Sequence, residues 1–257
     1  MAVILSYLKY LVSSRRILKQ KTPILQALNA GVFTKINSVQ DQQILNLIQS
    51  LKKDDTIISI TDLGAGSRQS KSNKRTVKSI VKNAAIPSKF GRLLNQLIRH
   101  YQYHTVVELG TSLGVGTAYL SLNNPNTSVY TIEGCPNISK RAQANLNQLK
   151  FNNIHFFQGE FSSQFNNILA EVDAIDLIYI DGNHTYDATL AYYHFFKSKM
   201  TQQGLMVFDD IHWSRGMEQA WSEIIKDDTS TLTIDLFRMG LIFVNPDFKT
   251  EHLVLRF

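Results

Sequence analysis

From His104 onward, short apolar runs alternate with stretches of helical periodicity, a rhythm that predicts parallel strands joined by crossover helices. Strands are expected at 104–109, 127–133, 154–158, 175–181 and 204–209, each followed by a helix. The rhythm then breaks. Thr231–Phe237 and Gly240–Val244, joined through Arg238 and Met239, read as an antiparallel hairpin, and Leu253–Phe257 as a short edge strand. The expected fold is therefore α/β and Rossmann-like, a mostly parallel seven-stranded sheet with an antiparallel last strand. A plain dinucleotide fold would instead keep its sixth strand parallel.

The first hundred residues follow a different pattern. Apolar and polar positions from Ser6 to Leu18, Val39 to Leu51 and Ser88 to Tyr101 predict helices, separated by Pro23, Asp54-Asp55 and a Gly64–Asn73 loop. These observations divide the chain into a helical N-terminal cap, residues 1–100, and a main domain, residues 101–257. Ile57–Leu63 followed by Gly64-Ala65-Gly66 imitates a ligand-binding strand and turn. Arg68, Lys71, Lys74 and Arg75 follow it, however, and no acidic strand end arrives downstream, so it reads as a basic loop that folds over a substrate.

Charge sharpens this division. The total of +6 hides 17 Lys and Arg against 4 Asp and Glu through Tyr103, a balance of +13, and −7 in the remainder. The basic part would suit an anionic substrate, a nucleic acid or a membrane surface, but its cations are spread out and few aromatics interleave with them, which favours a solvated helical face. One cysteine, Cys135, excludes an internal disulfide framework and fits a reducing, cytoplasmic setting. Met1–Val12 is apolar but broken by Lys9, with no basic leader or cleavage site, and no run approaches a membrane span.

The chemistry begins at Glu108-Leu109-Gly110-Thr111-Ser112-Leu113-Gly114-Val115-Gly116-Thr117, which reads as a strand end, a glycine-rich turn and a helix start. A dinucleotide site wants G-x-G-x-x-G directly after the strand, whereas here an acid leads E-x-G-x-x-x-G-x-G. That acid would repel a pyrophosphate and welcome an ammonium, such as the one S-adenosylmethionine (SAM) carries. The pattern resembles the first motif of the class I SAM-dependent methyltransferases, which implies that Glu108, Gly110, Thr111, Ser112, Gly114, Gly116 and Thr117 surround the cofactor. Ser128–Ile132 ends in Glu133-Gly134, where the next unit should deliver an acid to ribose hydroxyls.

Ile175–Asp181 is a buried-looking strand that ends in Asp181-Gly182-Asn183-His184, and Leu205–Asp210 ends in two adjacent carboxylates, Asp209 and Asp210. Three acids converging on one point would raise one another's pKa unless a cation sat among them, and oxygen ligands at this density favour magnesium. His184, three residues past Asp181, is the natural base for a hydroxyl proton. Each residue alone would more often be a cap or a turn residue; the cluster is what points to chemistry. His212 and Trp213 are candidates for the acceptor pocket, although a Trp213 packed under a loop is the commoner arrangement.

The runs I-D-G-N-H-T-Y-D and G-L-M-V-F-D-D-I-H-W resemble the metal-dependent small-molecule O-methyltransferases, especially the macrocin and mycinamicin sugar O-methyltransferase group and, more distantly, the catechol type. About 150 residues, from His104 onward, carry the resemblance. It implies magnesium held by Asp181, Asp209 and Asp210, with His184 as the base and Asp181 and Gly182 also beside the cofactor. The catechol type has lysine at the histidine position and asparagine at the end of the acidic pair, so the chain departs from it there. Gln158-Gly159-Glu160 matches the turn that contacts adenine. The expected function is SAM-dependent methyl transfer to a hydroxyl of a small molecule or sugar. An RNA or protein acceptor stays open through the basic N-terminal part, though the Asn/Asp-Pro-Pro-Tyr signature of N-methylating enzymes is missing. So do a non-catalytic SAM-binding module with peripheral membrane contact and a homodimer.

Overall fold

The computed structural model describes residues 2–16, 38–61, 73–122, 124–227 and 232–256. In chain order these form α1 (Ala2–Ser13), β1 (Arg15–Arg16), α2 (Val39–Leu51), β2 (Ile57–Ser59), β3 (Lys74–Thr76), α3 (Val77–Ala84), α4 (Ser88–Tyr101), β4 (Thr105–Leu109), α5 (Val115–Ser121) and β5 (Ser128–Glu133). There follow α6 (Pro136–Gln148), β6 (Ile154–Gln158), α7 (Phe161–Leu169), β7 (Ile175–Ile180), α8 (Tyr186–Lys197), β8 (Met200–Asp209), α9 (Arg215–Ile224), β9 (Leu232–Asp235), β10 (Met239–Phe243) and β11 (Glu251–Arg256). Two compact units emerge, Ala30–Asp173 and Met1–Asn29 with Ala174–Phe257.

In the unit Ala30–Asp173, β4, β5 and β6 form a parallel ladder whose register runs from Thr105 opposite Ser128 to Glu133 opposite Gln158. All three carboxyl ends therefore share one edge, where Gly110, Gly134 and Gly159 follow their strands. The helices around this ladder are amphipathic: α4 buries Phe90, Leu93, Leu94, Leu97 and Ile98, the spacing of one helical face. Gly91 permits that packing, since a Cβ there would stand 2.2 Å from the ring of Tyr119 on α5. Ser38 and Thr76 cap α2 and α3 through their hydroxyls, and Pro136 opens α6 where no amide is needed.

The other unit begins with the parallel pair β7 and β8, joined by α8 and registered with Ile180 opposite Phe208. Strand β7 is apolar nearly throughout, as a strand covered on both faces must be. The expected hairpin is present, but its second strand, β10, lies between β8 and β9 and runs antiparallel to both. Beyond β9, β11 and then β1 add parallel strands. The seven strands from β4 to β10 are those expected from the sequence, and β11 and β1 extend that edge.

Differences from expectation concentrate in the N-terminal part. Helix α1 ends at Ser13, ahead of the expected Leu18, because Arg15 and Arg16 pair with β11 and the Tyr10 hydroxyl donates to the Leu255 carbonyl at 2.5 Å. Ile57–Ser59 belongs to an antiparallel ribbon with Lys74–Thr76, so it does not feed a crossover helix; of the expected Gly64–Asn73 loop all but Asn73 lies outside the described residues, and Lys74 and Arg75, expected to continue the basic loop, form strand β3 instead. The unit boundaries also do not fall at residue 100: α1 belongs with β7–β11, while α2–α4 belong with β4–β6. Among the described residues, no helix is long and apolar enough to cross a membrane.

Candidate active site

The glycine-rich turn leaves β4 with Gly110 at φ 110°, Ser112 at φ 49° and Gly114 at φ 84°. Left-handed backbone at three of five positions reverses the chain within one turn, and glycine takes it at two of them without a steric penalty. The amides of Gly110 and Thr111 both donate to the Ile132 carbonyl, at 3.0 and 3.1 Å, and Gly114 donates to the Thr111 carbonyl at 2.9 Å. These three amides are committed to β5 and to the turn itself, so they are not available to cradle a phosphate.

Two carboxylates hold the turn. Glu108 is 1% exposed, and its Oε2 accepts from Thr117 at 2.5 Å and Thr131 at 2.7 Å, while the hydroxyls of Thr111 and Thr131 stand 2.6 Å apart. The ammonium-facing role expected of Glu108 is therefore at odds with its burial; it positions the turn and the start of α5 through hydroxyls. Glu133 accepts from the Ser112 amide with Oε2 and from the Cys135 amide with Oε1, both at 2.9 Å. Burial pushes its carboxyl above the ordinary range, against the Cys135, Ser112 and Gly134 amides that favour its charge. Gly159, at φ 138°, donates to the Glu133 carbonyl at 3.0 Å, which brings Gln158-Gly159-Glu160 beside Glu133. Gln158 and Glu160 are exposed, and Glu160 accepts from Ser162 at 2.6 Å.

In the unit with β7 and β8, adjacent strand ends deliver Asp181 and Asp209 side by side, as the register predicts. The Tyr179 hydroxyl lies 3.1 Å from Asp181 Oδ2 and 3.2 Å from Asp209 Oδ2, placing a donor between the two acids. After β7 the chain turns through Asn183 at φ 49°, and His184 Nε2 comes to 3.5 Å from Asp181 Oδ1. Burial would lower the imidazole pKa, but Asp181, with Asp210 and Asp209 behind it, overcomes this and holds it above its ordinary value.

Asp209 is fully buried, and its partner is a guanidinium. Arg238 Nε donates to Oδ1 at 3.0 Å and lies 3.2 Å from Oδ2, Nη2 donates to Oδ2 at 2.7 Å, and Nη2 stands 3.9 Å from Asp210 Oδ1. Strand register explains the placement, because Met239 on β10 pairs with Asp209 and so sets Arg238 beside it. The turn is fixed by Phe237 at φ 68°, whose amide donates to Asp235 Oδ1, and by the Ile211 amide donating to the Arg238 carbonyl. Burial and Asp181 push the Asp209 carboxyl up while Arg238 pulls it down, and burial likewise raises Asp210 against Arg238 and His184. Asp209 in turn holds the guanidinium above its ordinary value, outweighing its own burial.

This geometry tests the expected magnesium site. Among the described residues, no three His, Cys, Asp or Glu side chains gather as a metal site requires. Both oxygens of Asp209 are already spent on Arg238, so Asp181, Asp209 and Asp210 as arranged do not fit a tri-aspartate cage for a divalent ion. His212 also departs from the pocket role: its Nε2 lies 2.8 Å from Asp235 Oδ2, its Nδ1 3.3 Å from Glu218 Oε1, and its ring stacks on Phe237. Trp213 is 45% exposed, not packed under a loop. Arg238 and Tyr179 are the residues the sequence did not reveal; the one cue was a cation at the tip of the hairpin that follows two acids.

Residues 107–211 match the family model of a methyltransferase domain. Among solved structures, an O-methyltransferase from Bacillus cereus in complex with SAH is 14% identical, with a TM-score of 0.56 over 86% of this chain and 97% of that one. TomG of Streptomyces achromogenes, an O-methyltransferase involved in tomaymycin synthesis and solved with SAM, is 12% identical, with a TM-score of 0.59 over 86% of this chain and 96% of that one. A SAH-bound methyltransferase from Podospora anserina is 11% identical, with a TM-score of 0.53 over 82% and 98%. No curated protein matches the chain. The fold is that of the class I methyltransferases, and residues 107–211 are similar to their methyltransferase domain.

Proposed function

We propose that the chain is a SAM-dependent O-methyltransferase acting on a hydroxyl of a small molecule or sugar. The observation that carries this reading is the turn from Gly110 to Gly114, built at a strand end with its amides turned inward and Glu133 across it. Such a turn suits a cationic, ribose-bearing ligand better than a pyrophosphate. The acid cluster likewise sits at the carboxyl ends of parallel strands, the edge at which open α/β sheets bind ligands. The solved relatives named above with SAM or SAH support the same cofactor here.

When bound, SAM supplies a methyl carbon made electrophilic by its sulfonium. An acceptor oxygen taking that carbon, with the sulfur as leaving group, would have to give up its hydroxyl proton. In this reading His184 takes it. With Nε2 turned to Asp181, Nδ1 is the ring nitrogen left to accept the proton, and the Asp181 carboxylate stabilises the imidazolium that forms. Tyr179 fixes Asp181 from the other side. Glu133 would hold ribose hydroxyls with the lone pairs its two amide contacts leave, and Gly159 would border the adenine. No step runs through magnesium, because the oxygens of Asp209 are committed to Arg238.

The test is calorimetry of SAM against the purified protein, followed by detection of S-adenosylhomocysteine when polyhydroxy small molecules and sugars are offered. Saturable SAM binding that Glu133→Ala weakens is expected. A protein that binds no SAM would end the proposal.

A further inference from the structure

Three carboxylates at the ends of two neighbouring strands need a counter-charge, and the chain provides one of its own. The β9–β10 turn carries Arg238 onto Asp209 as a fork: two guanidinium nitrogens hold both carboxylate oxygens, and the same Nη2 faces Asp210. The Asp209 side chain is 0% exposed and that of Arg238 29%, so the pair is shielded on the acid side and open on the other. A bidentate fork of this kind is the strongest pairing a carboxylate makes with a side chain. A divalent ion seeking Asp209 would have to expel the guanidinium from it or crowd beside it among the three acids.

We propose that Arg238 is the resident cation of this acid cluster, holding the place a divalent ion would need, so that the Asp181–His184 pair works without a metal. Arg238 acts as a positioning residue: its fork fixes Asp209, its Nη2 faces Asp210, and Asp209 in turn shares Tyr179 with Asp181, which orients His184. The inference rests on the placement of Arg238, and it deepens the methyl-transfer reading by assigning the metal-independent form of that reaction.

Uptake of Mn2+, read as loss of the free-ion paramagnetic resonance signal, tests it without any acceptor or SAM. The wild-type protein is expected to leave the signal unchanged. Arg238→Met, which keeps much of the stem but removes the charge, should take up Mn2+ at least about tenfold more tightly, since a buried cation no longer repels the ion. Adding Asp209→Asn should abolish that uptake, and Arg238→Lys should keep the ion out. Stoichiometric uptake by the wild type that Asp209→Asn removes would overturn the proposal, as would a folded Arg238→Met protein that gains none. Should Arg238→Met not fold, the wild type and Arg238→Lys decide alone: uptake by either overturns the proposal, and exclusion by both upholds it. A protein that excludes Mn2+ and yet binds no SAM would sink the methyltransferase reading while leaving Arg238 in its place.

Discussion

The glycine turn after β4 and the acid cluster after β7 and β8 solve the same problem, holding charged groups at strand ends, by opposite means. The turn is built from backbone: the Gly110 and Thr111 amides bond to β5, that of Gly114 to the turn itself, and Glu108 and Glu133 are held by hydroxyl and amide donors. The cluster is built from side chains and balances its carboxylates against one guanidinium and one imidazole. The first arrangement is rigid and shaped for a ligand's contour. The second stores a proton-accepting group whose affinity depends on its neighbours. Changes to the turn should therefore appear in cofactor binding, and changes to the cluster in turnover and its pH dependence.

The largest effect is expected from His184→Ala. Losing a positioned base should reduce kcat by roughly 10²–10⁴-fold, while the SAM dissociation constant from calorimetry stays within about twofold. A SAM affinity that falls along with kcat would erase the contrast between the regions. Next comes Asp209→Ala, which removes the two-pronged partner of the Arg238 guanidinium and leaves Asp210, 3.9 Å away, as its nearest acid. Breaking a buried pair from one side costs about 3 kcal/mol, measured as a lowered denaturation midpoint. Glu108→Gln makes the matching change in the turn, where the amide oxygen can still accept from Thr117 and Thr131, and should cost only about 1 kcal/mol.

Gly114→Ala falls between these two in size. The position sits at φ 84°, and a Cβ would stand 2.9 Å from Leu146 Cδ1, so left-handed strain and a displaced core leucine combine to about 2 kcal/mol. The turn would shift with the strain, and SAM affinity should fall while the pH dependence of turnover keeps its shape. A pH profile that moved with this substitution would show the two regions to be coupled.

The sequence made the first region more legible than the second for a physical reason. Strand ends and turns are local, so the apolar run to Leu109 and the glycines after it could be read directly, as could Asp181 and Asp209 at the tips of β7 and β8. The strands from β4 to β8 and the helices Val39–Leu51 and Ser88–Tyr101 were legible for the same reason. The partner of Asp209 was not, since it arrives from a residue 29 positions away through the antiparallel register of β10 on β8. Reading three acids without Arg238 implied a missing metal; with Arg238 the charge is largely answered from within. Helix α1 stopped short for a similar non-local reason, the pairing of Arg15 and Arg16 with β11. The burial of Glu108 was hidden too, because the threonines that cover it, Thr117 and Thr131, belong to a helix and a strand well separated along the chain.

The smallest expected effect concerns pH. A base must be neutral to act, and His184 is held above the ordinary imidazole pKa of about 6.5, with burial opposing and Asp181 leading the upward pull. Activity should thus be present above that raised value and lost as pH falls through it, so the acidic limb of kcat/KM lies on the alkaline side of an unperturbed histidine. Asp181→Asn removes the leading upward influence and leaves burial, which favours the neutral ring, so the limb should move to lower pH even as kcat declines with the loss of imidazolium stabilisation. The same substitution should leave the glycine turn intact, because Glu133 and the turn hold their shape through bonds that do not involve Asp181. An acidic limb that stays where it was in Asp181→Asn would mean that the proton is taken by another group, and would remove His184 and Asp181 from the reaction together.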